Sequence, residues 1–211
     1  MATFEKGILG GFSGKVGPIV GATWKGKDVM RSRPNKKKGG SSVKQLDQQL
    51  KFSAVVSFQS PFNDLLDVTF KGYATDITAQ NSAFAYNIQN ALGGKSPDYV
   101  INYEKALISR GSLPNADEPG ATTSDGKIFF TWTDNSGMGK AAPTDTAVLL
   151  MYCKENSTAK YTWEGVTRSE GAAQIDVANY TGKTVQTWLA FLSADGKEAA
   201  TSIYTGELFI T

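Results

Sequence analysis

Histidine is absent from this 211-residue chain, and cysteine occurs once, as Cys153. Without an imidazole there is no histidine general base and no histidine metal ligand. A single thiol forms neither an internal disulfide nor a cysteine cluster. Long apolar runs are also missing: the longest, residues 147–153, falls far short of the roughly 20 residues that cross a bilayer, so no transmembrane helix is expected. The amino terminus, MATFEK, lacks a basic stretch followed by an apolar run. No secretory leader is therefore expected, and a cytoplasmic location follows by default.

What is present describes a globular chain with 40% apolar and 20% charged residues. Its net charge of +2 is the sum of two opposed blocks. Residues 1–51 carry nine lysines and two arginines against Glu5, Asp28 and Asp47, a net +8, which leaves −6 on the remainder. Glycine follows the same divide, with nine of its 22 copies in the first forty residues. Such a stretch disfavours helix. Val16, Ile19, Val20 and Trp24, then a turn at Lys25-Gly26-Lys27-Asp28, then residues 29–33, predict a glycine-rich β-hairpin that stops before Pro34. The lysine-rich residues 35–42 read as a solvated linker.

From Ser42 the period becomes helical. Val43, Leu46, Leu50 and Ala54 are spaced by three and four, widened by Phe52, Val55 and Val56, and Ser42 with Gln45 makes a capping box. Pro61 restarts a short second helix, and a third is predicted over residues 78–92 with Gly93-Gly94 as its stop. After Pro97 the pattern is β, beginning with a strand at residues 99–107. Ile128, Phe130 and Trp132 share one strand face, and Val185, Leu189 and Phe191 share another. Residues 147–153 are apolar on both faces, as in a central strand. Further strands near 160–164, 172–177 and 200–210, with turns at Asp125-Gly126 and Asp195-Gly196, give about seven short strands. That is the count of an immunoglobulin-like sandwich. The fold class expected is α+β: an N-terminal glycine-rich β-hairpin with two or three helices over residues 1–96, then an antiparallel immunoglobulin or fibronectin III-like β-sandwich over residues 97–211.

The second half resembles the fibronectin type III pattern through FFTW at residues 129–132 and TWLAFLSADG at 187–196, followed by ATSIY at 200–204. The whole chain resembles a bacterial domain-of-unknown-function family. That likeness rests on GILGGFSGKVG at residues 7–17, VGATWKG at 20–26, RSRP at 31–34, ISRGSLP at 108–114 and FTWTDN at 130–135. The resemblance implies the same two-part layout and brings no activity, cofactor or partner.

Gly14-Lys15 invites comparison with a phosphate-binding loop, but Leu9 stands where the first glycine belongs and Val16 where a magnesium-binding hydroxyl belongs. No cofactor and no metal are expected. Lys25, Lys27, Arg31, Arg33, Lys36, Lys37 and Lys38 form a basic patch that is a candidate anion or partner contact; a solvated loop is the alternative reading. Trp24 and Phe12 lie beside it as candidate stacking rings. Tyr161 and Trp163 are further candidate exposed contact aromatics, with core packing as the alternative. Asp117, Glu118, Asp134, Asp145, Asp176 and Asp195 read as turn residues, and Cys153 as a small buried hydrophobe. Together these point to a non-enzymatic structural or protein-binding module with a protein partner or self-association. Nucleic-acid binding through the basic arm and a histidine-free hydrolase are the alternatives.

Overall fold

A computed structural model of the chain describes residues 3–4, 10–24, 26–34 and 40–211. They fall into two compact units, Met1–Ser42 and Val43–Thr211.

The first unit is a four-stranded antiparallel sheet in sequence order: β1 (Thr3–Phe4), β2 (Phe12–Val16), β3 (Ile19–Trp24) and β4 (Lys27–Ser32). Two-residue turns join the last three strands, with Gly17 and Gly26 at positive φ, the backbone that tight hairpins require. Gly21 is needed for a close approach: a Cβ there would lie 2.2 Å from the Phe12 carbonyl oxygen and 2.7 Å from the Phe12 ring.

The second unit opens with α1 (Val43–Gln59), α2 (Asn63–Thr69) and α3 (Ala79–Asn90). Thr78 caps α3 by accepting the Asn81 N–H at 3.2 Å. α1 carries two apolar stripes. Of the apolar residues that the sequence pattern gathers, Val43, Leu46, Leu50, Phe52 and Val56 are exposed and Ala54 is half-buried, while Val55 is buried together with Phe58. Phe58, near the carboxyl end of the helix, packs on Tyr152 and Trp188 of the sheet beneath. A two-stranded hairpin follows, β5 (Leu92–Lys95) with β6 (Asp98–Ile101). Gly93-Gly94 therefore lies in a strand rather than ending a helix, and the strand expected to reach residue 107 ends at Ile101.

Seven strands complete the unit: β7 (Asp117–Ser124), β8 (Lys127–Thr133), β9 (Thr146–Cys153), β10 (Thr158–Thr162), β11 (Ala172–Asp176), β12 (Thr184–Leu192) and β13 (Ile203–Phe209). They form one antiparallel sheet ordered β10-β9-β12-β13 and a second ordered β11-β8-β7. Three strands facing four in this order is a fibronectin III-like sandwich of the immunoglobulin class.

The central strands β9 and β12 are buried on both faces. Ile128, Phe130, Trp132, Leu149, Met151 and Leu189 fill the space between the sheets. On the other side of the larger sheet, Leu150, Tyr152 and Trp188 pack against Phe58, Phe62 and Leu66 of the helical region. The Trp188 indole N–H donates to the Ala106 carbonyl at 3.1 Å. The second unit therefore stacks helices, sheet and sheet. Each fully buried Phe or Leu of this second core contributes about 1.5–3 kcal/mol, which ties the helices to the sandwich.

Candidate functional site

Strand pairing settles which side chains of the N-terminal sheet lie together. Lys15 pairs with Val20, Val20 with Arg31, Ala22 with Val29 and Trp24 with Lys27. Directly opposed residues project to the same side. One face therefore carries Val20, Trp24 and Val29 alternating with Lys15, Lys27 and Arg31. The other carries Phe12, Val16, Ile19 and Met30. Phe12 and Trp24 thus stand on opposite faces and form no common stacking platform.

This thin sheet leaves large apolar groups in water on both sides: Trp24 is 53% exposed, Met30 71% and Val16 47%. Sheets in stable domains cover at least one face with a second layer. Lys15, Lys27 and Arg31 are exposed and make no ion pair among the described residues. Asp28 lies on the opposite face, where it accepts the Thr23 hydroxyl at 2.9 Å. Arg33, just past the end of β4, is exposed as well. Lys25, Lys36, Lys37 and Lys38 lie outside the described residues. Grouping Lys15, Val20 and Val29 with Trp24 needed the register; the signal available beforehand was the period-2 alternation from Val20 to Arg31.

Tyr161 and Trp163 stack on one another, with centroids 5.7 Å apart and planes 11° from parallel. Both are half-buried against the helix-covered core. Beside them an open cleft of about 320 Å³ separates the edge strands β10 and β11, with Lys160, Glu164 and Asp176 around Leu149 and Ile175. The Lys160 ammonium donates to the Asp176 carbonyl at 2.6 Å and so occupies part of the free edge of β11.

The remaining carboxylates hold local structure. The Asp195 carboxyl falls to about 2 because the Ser193 hydroxyl and then the backbone and ammonium of Lys197 donate to it. The Ser136 hydroxyl and N–H lower Asp134 in the same way. Asp145 serves a turn, accepting the Ala142 N–H at 2.9 Å, but does more than that. It is buried and takes the Nε and Nη2 of Arg168 on one oxygen at 3.2 and 3.1 Å. Arg168, itself fully buried, also donates to Asn135 at 2.7 Å and to the Pro114 carbonyl at 2.8 Å, and lies 4.0 Å above the Phe191 ring. Its hydrogen-bonding groups are satisfied within the fold, so the cluster fixes the loops at one end of the sandwich. Among the described residues no three Cys, Asp or Glu side chains gather as a metal site. Cys153 is buried.

These features define a fibronectin III-like sandwich with a helical layer on one sheet and a separate basic, aromatic sheet at its amino end. The chain belongs to the family of unknown function DUF6266, whose pattern it matches over residues 11–206. No curated protein matches it in sequence. Among solved structures, it is similar to the fn3 domain of the human collagen alpha-1(XX) chain, at 10% identity and a TM-score of 0.36, over 49% of this chain and 93% of that one. No helix among the described residues is long and apolar enough to cross a membrane.

Proposed function

We propose that this protein is a non-enzymatic interaction module whose contact surface is the face of the N-terminal sheet that carries Lys15, Trp24, Lys27, Val29 and Arg31. One observation carries the reading: cations with no ion pair among the described residues alternate with the exposed Trp24 and Val29 on a single sheet face. Such a face gains by covering its apolar groups, and its cations select an acidic partner surface. Arg33 extends the charge beyond β4, and Lys25, Lys36, Lys37 and Lys38 add to it in the adjoining sequence.

A protein partner suits this face better than a nucleic acid. Single-stranded nucleic acid needs successive aromatic platforms, whereas the cations here alternate with aliphatic Val20 and Val29, and Trp24 is the lone aromatic. The test is a photo-crosslinking amino acid placed at Val29 in the producing cell. A discrete protein adduct, reduced when Lys27 and Arg31 become Glu, is expected. Adducts to nucleic acid alone, or no adduct, would overturn the reading.

A further inference from the structure

The outer face of the three-stranded sheet β7-β8-β11 has the complementary character. Phe129 is 36% exposed at its centre. Thr122 and Gln174 stand directly opposite it on β7 and β11, and Thr131 follows it on the same strand. Acidic groups lie toward the ends of this face. Glu118 accepts the Thr133 hydroxyl at one end, while Asp176 pairs with Lys127 and Asp125 forms the β7-β8 turn at the other. No element of the second unit packs over this face, since both of that unit's hydrophobic clusters lie on other surfaces.

We infer that the basic face of the N-terminal sheet in one copy docks on this outer face in a second copy of the chain; the inference rests on the interaction reading above. Two features select a second copy as the occupant. The first is charge: Met1–Ser42 carries seven lysines and two arginines against Glu5 and Asp28, a net +7, whereas Val43–Thr211 carries 13 basic and 18 acidic groups, a net −5. The second is shape, because each surface is a β-sheet face with an exposed aromatic ring, basic around Trp24 and acidic in balance around Phe129, where Glu118, Asp125 and Asp176 outnumber Lys127, and such faces stack about 10 Å apart. The two surfaces differ, so the contact is heterologous and leaves one of each free on every dimer. Strands about 3.3 Å per residue and about 4.8 Å apart give the N-terminal sheet roughly 300 Å² of face. That area belongs to weak, reversible interfaces, and the attraction is screened by salt.

The test uses two exposed variants of the full chain, Lys27→Glu with Arg31→Glu, and Phe129→Lys, in sedimentation at high protein concentration and low ionic strength. The wild type sediments above 22.6 kDa. Each variant alone sediments as a single chain. Their equimolar mixture forms a complex of two chains and nothing larger, because the intact sheet of one variant meets the intact sandwich face of the other. A mixture that stays monomeric, or either variant assembling alone, would contradict the proposal, as would a monomeric wild type. If a different protein is crosslinked at Val29 while the mixture stays monomeric, the second-copy assignment fails and the interaction reading stands.

Discussion

At the scale of single residues, the buried charge pair Arg168–Asp145 is the most exacting feature of the sandwich. Both partners lie out of water, so removing one leaves the other uncompensated. Asp145→Asn is expected to lower unfolding stability by about 3–5 kcal/mol in urea titration. Replacing the pair together, Asp145→Leu with Arg168→Met, should cost less than the sum of the single changes. Tyr103 gives a second readout. Burial among Phe58, Tyr152 and Trp188 pushes its phenol from 10.0 up to about 12. The folded chain holds that proton more tightly than the unfolded chain. Its contribution to stability is therefore intact below pH 10 and is lost as pH rises toward 12. Tyr103→Phe should flatten the fall in stability across that window, as measured by circular dichroism in urea at a series of alkaline pH values. Gly111, in the ISRGSLP segment, shows why one position in a loop is fixed. A Cβ there would come within 1.8 Å of the Ala199 carbonyl oxygen, a backbone atom that cannot move away alone, so Gly111→Ala should destabilise the fold.

At the scale of elements, alternation and apolar runs made most of the sandwich readable. Strand β8 shows its buried face as Ile128, Phe130 and Trp132, and β9 its double burial as an unbroken apolar run. Strand β7 was illegible because its sequence, DEPGATTS, holds a proline, a glycine and two adjacent acids; a bulge between Asp117 and Gly120 absorbs them, with Glu118 at positive φ. The β5-β6 hairpin was hidden by Gly93-Gly94, which reads equally as a helix end. The two stripes of α1 could not be ranked locally, since the choice belongs to the sheet that the helix covers. That packing makes a direct prediction. A fragment of residues 97–211 leaves Leu150, Tyr152 and Trp188 without their helical cover, so it should bind a hydrophobic dye and lack a cooperative melt. A fragment of residues 43–211 should melt cooperatively.

At the scale of the whole molecule, the near-zero net charge conceals two opposed blocks of charge, legible from the order of charged residues along the chain. The basic patch was visible as residues, but the face was not. Only strand register separates Trp24 from Phe12 and adds Lys15, Val20 and Val29 to Lys27 and Arg31. The complementary surface around Phe129 was less visible still, since a lone aromatic among threonines resembles any solvated strand face. The decisive measurement is carbodiimide coupling, which joins a lysine directly to a touching carboxylate, applied to a mixture of nitrogen-isotope-labelled and unlabelled chains and read by mass spectrometry. Docking between copies gives mixed-isotope links from Lys15 or Lys27 to Glu118, Asp125 or Asp176, lost in Phe129→Lys. Links confined to single chains, or mixed links joining other surfaces, would contradict it.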